Sequence, residues 1–238
     1  MGVRYGEFAA LEDLDLQVGA GEAIALLGPN GAGKSTCLKA LSGLEAPSAG
    51  ELVILGEEPR RASREWKRKV GVLPEDPALW DALSLEEHCR LSGELYGLAA
   101  GETAARSEEI LRLLGLWENR ARFAAAASFG MRKKTALALA LLHAPQVLLL
   151  DEPFEGLDPV SCENVLALLL QLRSRGVGIL FTSHLIHYVE RLATEAVLLL
   201  GGRTVWRGSP QEHEDLAARY FAAIAPSPLP PLSWIPVR

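Results

Sequence analysis

At 238 residues, with 49% hydrophobic and 23% charged side chains, the composition is that of a globular protein with a sizeable core and excludes a disordered chain. Lys and Arg total 24 against 30 Asp and Glu, and the resulting net charge of −6 gives no bulk electrostatic claim on nucleic acid. Cys37, Cys89 and Cys162 are widely separated and odd in number, a pattern that suggests neither a disulfide framework nor a zinc site and makes a reducing cytoplasm the default. No apolar run reaches the ~18 residues of a membrane span, and Met1–Glu7 has no apolar signal region.

In chain order, short apolar strands alternate with helical patterns, as in an α/β domain built on a largely parallel sheet. The first expected strand, Ala23–Leu27, runs into Gly28-Pro29-Asn30-Gly31-Ala32-Gly33-Lys34-Ser35-Thr36. This matches G-x-x-x-x-G-K-[ST] and opens a helix that ends at Gly43. Glycines in such a loop let backbone N–H groups converge on phosphate oxygens, and the helix N-terminus adds a favourable dipole. Lys34 would reach the β- and γ-phosphates of a nucleotide, and the Ser35 hydroxyl would bind Mg²⁺. A glycine-rich turn that merely joins strand to helix is the bland alternative, which the strand–loop–helix context disfavours. Cys37, on that helix, reads as core. Further strands are expected at 52–55 and Val70–Leu73, the second followed by Glu75.

From Ser84 to about Pro145 the strand signal gives way to helices, which read as an inserted subdomain. A Ser84/Glu87 capping box precedes a helix over 85–98, a second runs from about 102 to a Gly115 stop, and a third starts near Gly130. The loop before them carries Leu79, Trp80 and Leu83, which either mark a binding surface or fold under the helices. Val147–Leu150 is apolar throughout, as a strand covered on both faces should be, and it delivers Asp151 and Glu152 at its C-terminal end. One carboxylate can hold Mg²⁺ and the next can polarise an attacking water. Seen alone such residues are as often solvated caps, but the phosphate loop favours the functional reading. Asp158 before Pro159 is a good N-cap for a helix over 159–174. Strands at 177–181 and 196–200 follow, and 196–200 with Gly201-Gly202 and 203–207 forms a hairpin. Ser209-Pro210-Gln211-Glu212 opens a last helix, and Pro226, Pro228, Pro230, Pro231 and Pro236 make 226–238 a Pro-rich tail.

With these motifs in this order, nearly the whole chain resembles the nucleotide-binding subunit of ABC transporters. Residues 28–36 are similar to the family's Walker A, and 147–152 to its Walker B with the adjoining catalytic glutamate, Glu152. Gly156-Leu157-Asp158-Pro159 resembles the D-loop, and Thr182-Ser183-His184 the switch histidine. Tyr5 sits where the family stacks an aromatic on adenine, with Phe8 a rival for that role. The family's Q-loop glutamine is Glu75 here, implied to touch the metal site and link it to the helical subdomain. The Ser-Gly-Gly signature is Ser128-Phe129-Gly130-Met131, in which Ser128, Gly130 and Met131 are implied to contact ATP held by a partner subunit. By residue type alone, Ser128 is an N-cap and His184 an exposed loop residue. The short Ser-x-Gly-Met form is similar to export-type subunits. With so few residues before Tyr5, the family's first strand is expected to be shortened or absent.

The resemblance implies a P-loop NTPase core with a mostly parallel sheet, antiparallel β additions and an inserted α-helical subdomain. The expected boundaries are 1–76 and 146–225 for the core, 77–145 for the helical subdomain and 226–238 for the tail. It further implies ATP and Mg²⁺ as ligands, with Lys34, Glu152 and His184 catalytic and Ser35, Asp151 and Glu75 at the metal. A second nucleotide-binding subunit, identical or not, and a membrane permease are the implied partners, which would put the chain on the cytoplasmic face of the membrane. Nucleic acid is not an implied partner. Two other readings compete: an ATP-gated regulatory or assembly module with little turnover, suggested by Phe129 and Glu75, and a soluble ABC ATPase acting on DNA or ribosomes. The second usually needs two nucleotide domains or a long coiled coil, and this sequence shows neither.

Overall fold

The computed structural model describes residues 1–211 and 216–224. Near the N-terminus, β1 (Val3–Tyr5) and β2 (Phe8–Leu11) pair antiparallel across Gly6 and set Tyr5 opposite Phe8. The other strands are β3 (Ala23–Leu27), β4 (Val70–Leu73), β5 (Val147–Leu150), β6 (Gly178–Thr182), β7 (Glu195–Leu200) and β8 (Arg203–Gly208). They form a six-stranded sheet in the order β4-β5-β6-β3-β7-β8, parallel except for the β7–β8 hairpin.

Successive strand residues face opposite ways, so each central strand feeds two cores. Ala23, Ala25 and Leu27 of β3 join Leu148, Leu150, Ile179 and Phe181 on one side of the sheet. Ile24 and Leu26 join Leu149, Leu180 and Val197 on the other. The second core is covered by α1 (Lys34–Leu41) and by Trp66 of α2 (Arg64–Lys67), with Val3 and Leu11 of the N-terminal hairpin. The first is covered by α6 (Pro159–Ser174), α7 (Ile186–Leu192) and α8 (Leu216–Ile224), and it extends into the helices between β4 and β5. Those are α3 (Leu85–Tyr96), α4 (Ala100–Leu113) and α5 (Phe129–Leu141), joined to the core through Leu85, Leu111 and Leu137.

The expected capping box is present: Ser84 Oγ accepts from the Glu87 amide at 3.2 Å, and Glu87 Oε2 accepts from the Ser84 amide at 2.7 Å. Gly97, at φ 77°, ends α3 just before the expected limit at 98. The expected strand at 52–55 is not one. Ile54 and Glu57 make an isolated bridge closing a tight turn in which Leu55 takes φ 51° and Gly56 φ 82°, and a chain that reverses there cannot extend a ladder. Leu52 still reaches the second core, which is why the stretch looks strand-like. The three-residue β1 and its partner β2 lie before the first strand expected from the apolar runs, and sequence reading missed β2. The last helix is described only from Leu216; Pro210 and Gln211 form a turn, with Gln211 Nε2 donating to the carbonyls of Glu190 and Ala193. Glu212 and the Pro-rich 226–238 lie outside the described residues.

Candidate functional site

Neighbouring strands β5, β6 and β3 end at one edge of the sheet, and each ends in a polar segment. After β3 the chain turns sharply into the phosphate loop. Gly28 takes φ 149°, and a Cβ there would lie 2.4 Å from the Leu199 carbonyl oxygen, so β7 leaves room only for glycine. Gly33, at φ 104°, caps α1 and would bring a Cβ within 2.5 Å of the Ala10 carbonyl oxygen. Lys34 is buried, and its Nζ donates to the carbonyls of Gly28 at 2.7 Å and Pro29 at 3.3 Å, which holds the ammonium inside the loop.

After β5, Asp151 and Glu152 are both buried. Thr182, the last residue of β6, donates its hydroxyl to Asp151 Oδ1 at 2.6 Å and accepts from the Glu152 amide at 2.9 Å. One side chain thus orients the aspartate and fixes the backbone that carries the glutamate. Glu152 takes φ 48°, a left-handed conformation that costs a non-glycine residue energy and is often retained at functional sites. Its Oε2 lies 3.1 Å from His184 Nδ1 and 3.3 Å from the His184 amide. Burial pushes the Glu152 carboxyl above its ordinary value, against the pull of His184 and Lys34. A carboxylate held this way is a better proton acceptor than one in water.

A cavity of about 310 Å³ is lined by Asn30 to Thr36, by Glu75, Asp151 and Glu152, and by Tyr5, Phe8 and Ala10 of the hairpin. Both aromatic candidates therefore reach it, as a cross-strand pair at the tip of the hairpin. Ser35, Glu75 and Asp151 bring hard oxygen donors to the lining of this cavity. Among the described residues no His, Cys, Asp and Glu form a group sufficient to hold a metal by themselves. The set suits Mg²⁺, which takes one or two carboxylates and completes its shell with water and substrate phosphates.

Ser128, Gly130, Met131 and Asp158 do not line that cavity. Ser128 is exposed and caps α5, accepting from the Met131 amide at 3.3 Å, while Met131 packs partly into the core. Asp158 caps α6 through the Ser161 amide at 3.0 Å, and its bonds to Ser161 hold the carboxyl below its ordinary value. Phe129 is 48% exposed, and its ring lies over the backbone of Gly156, where an added Cβ would come within 2.3 Å of Phe129 Cδ1. The segments 128–131 and 156–159 are thus in direct contact. Cys37 is fully buried, which pushes its thiol up to about 12 and removes it from chemistry at neutral pH.

Sequence reading gave no role to Thr182, although a hydroxyl ending an otherwise apolar strand was a usable signal. It also missed Lys133, which shares a helix face with Leu137 and Leu141 at intervals of four and is among the largest fully buried side chains.

A family model described as "ABC transporter" matches residues 11–155. The Nod factor export ATP-binding protein I of Cupriavidus metallidurans is 35% identical over 89% of this chain and 70% of its own length. The linearmycin resistance ATP-binding protein LnrL of Bacillus subtilis is 33% identical over 90% of this chain and 68% of its own. A solved structure described as the ATP binding subunit of an ABC transporter superposes with a TM-score of 0.82 at 36% identity, covering 87% of each chain.

Proposed function

Since this chain belongs to the ABC transporter family, as one of its ATP-binding and ATP-hydrolysing subunits, we propose the following division of labour within its site. Lys34 and the amides of 28–36 bind the phosphates, and Ser35, Asp151 and Glu75 hold Mg²⁺. Glu152 orients or deprotonates the attacking water, and His184, tied to Glu152, responds to the γ-phosphate. When bound, Mg²⁺ would neutralise charge on the phosphate oxygens. The observation that best supports this reading is the convergence of Lys34, Ser35, Asp151 and Glu152 on one cavity, with His184 bonded to Glu152 behind it. Phosphate release by the purified chain, alone and with its membrane partner, tests it. Turnover that stops on Mg²⁺ chelation is expected, and no turnover in either setting overturns the reading.

Ser128, Gly130 and Met131 lie off the cavity that holds Lys34, so in this proposal they serve the nucleotide of a second subunit, identical or related, packed head to tail. Asp158 lies at the same junction, and Tyr5 with Phe8 stacks on adenine. Phe129→Gly tests whether the altered signature limits activity. A fall of about twofold to tenfold in ATPase rate is expected, because the ring that rests on Gly156 positions the D-loop segment. A several-fold rise without loss of folding would support the low-turnover regulatory reading instead.

The remaining proposals concern the membrane. Among the described residues no helix is long and apolar enough to cross one, and in this proposal a separate permease supplies the membrane-spanning part of transport. The export and resistance names of the two relatives support an exporter. Residues 77–145 would act as the unit that transmits movement to the permease. Trp80 is 60% exposed, whereas Leu79 beside it is buried, and its amide donates to His88 Nε2 at 2.9 Å. The ring stacks on His88 of α3, with 6.4 Å between centroids, and still leaves most of its surface to solvent on a fixed backbone, as a docking anchor should. Trp80→Ala is expected to keep its melting temperature and basal ATPase activity but lose recruitment to permease-containing membranes. A stable variant that is still recruited removes Trp80 as the anchor.

A further inference from the structure

The α5 helix that begins behind Ser128 carries Arg132, Lys133 and Lys134 in succession, and each reaches a different segment. Arg132 pairs with Asp81 at 2.9 Å in the loop that bears Trp80, and Lys134 donates to Ser161 at 3.2 Å beside Asp158. Lys133 points inward. It is 1% exposed, and its Nζ donates to the carbonyls of Asp151 at 2.9 Å, Glu75 at 2.9 Å and Pro74 at 3.5 Å. An ammonium has three N–H groups and no acceptor, so these carbonyls use its full donor capacity. Burial pulls the ammonium below its ordinary value, and the carboxylates of Asp151, Glu155, Glu152 and Glu75 oppose that shift. A buried cation costs stability unless it is paired and hydrogen-bonded, and an apolar residue would fill this helix face more cheaply. Its presence needs a reason beyond packing.

We propose that Lys133 is a positioning residue for ATP hydrolysis, tying the segments that follow β4 and β5 to α5 so that the metal site and the Ser128 end of that helix move as one body. The inference rests on the reading of Asp151, Glu75 and Glu152 given above. Geometry carries it: one ammonium bonds to the main chain of both proposed metal-site carboxylates from the helix that presents the signature. Its positive charge also sits among carboxylates that would otherwise repel one another, which lets Glu75 and Asp151 approach a shared cation.

Lys133→Met removes the donors and the charge while keeping much of the side-chain volume. In the full chain its kcat should fall by about tenfold to a hundredfold, the scale expected when reacting groups are slightly misplaced. The KM for ATP should change by less than about threefold, since the phosphate loop is untouched. Binding of a fluorescent ADP without Mg²⁺ should equal that of the parent. Amide hydrogen exchange should accelerate at 75–76 and 151–152 while the middle of α5 stays protected. Lys133→Gln, which keeps one amide donor, should recover part of the rate, and it serves for all of these measurements if the methionine variant does not fold. Unchanged kcat with unchanged exchange overturns the proposal. So does a loss of rate accompanied by faster exchange throughout β4, β5 and α5, the signature of a core residue alone. A parent chain with no ATP turnover would sink the functional reading and this inference with it, whereas a parent that turns over ATP beside an unaffected Lys133→Met variant sinks the Lys133 proposal alone.

Discussion

Glu152→Gln should bind ATP as the parent does, yet hydrolyse it at least about a hundredfold more slowly, because the amide preserves shape but cannot accept the proton. The same variant should accumulate as an ATP-bound dimer, detectable by light scattering with ATP and Mg²⁺. Its stability carries a second signature. The folded carboxyl is held above its ordinary value of 4.5 by burial, so the folded chain binds this proton more tightly than the unfolded chain does. Stability is therefore lost as pH rises from about that ordinary value through the folded one. Ionising a desolvated carboxyl is a cost that glutamine never bears, although glutamine also gives up the attraction to His184. The variant should melt higher than the parent at pH 7, and the gap should close below about pH 4.5, where both side chains are neutral. Undiminished hydrolysis would remove Glu152 from its role, and a melting difference independent of pH would remove the desolvation argument.

Lys34→Ala should weaken ATP binding by about 1.5–3 kcal/mol, roughly tenfold to a hundredfold in Kd, the worth of a charge-assisted hydrogen bond to a partly desolvated phosphate. The buried ammonium is already held over the loop by the carbonyls of Gly28 and Pro29, so little side-chain ordering remains to be paid on binding. Titration calorimetry with ATP and Mg²⁺ reads the difference directly. Equal affinity in variant and parent would mean that this loop does not grip phosphate through Lys34.

The parts of this protein that obey short-range rules were legible in its sequence. Strand–loop–helix chemistry at 28–36 depends on glycines and a lysine at fixed spacing, and the loop has that form with Lys34 folded into it. A fully apolar strand reads as one lying between covered faces, and β5 does, with Asp151 and Glu152 after it lining the cavity. Capping boxes and proline starts are equally local, so Ser84 and Asp158 cap the helices expected of them. Where a local pattern ran against the tertiary fold, the reading failed: 52–55 has strand composition, but the chain reverses at Leu55 and Gly56.

Length, composition and the order of motifs by themselves determined an α/β nucleotide-binding chain with a helical insertion and the residues that would grip phosphate. Tertiary structure decided which of the remaining polar residues meet. Thr182 joins Asp151 and Glu152 only because β5 and β6 are neighbours in the sheet, although 31 positions separate Thr182 from Asp151 in the chain. Tyr5 and Phe8 both line the cavity because a hairpin sets them opposite one another, and Trp80 is exposed while Leu79 takes the buried position beside it. Lys133 meets Glu75 and Asp151 across chain separations of 58 and 18 residues. Such contacts arise from strand order and helix packing, which depend on the sum of many long-range burials rather than on any local spacing, and only the folded chain reveals them.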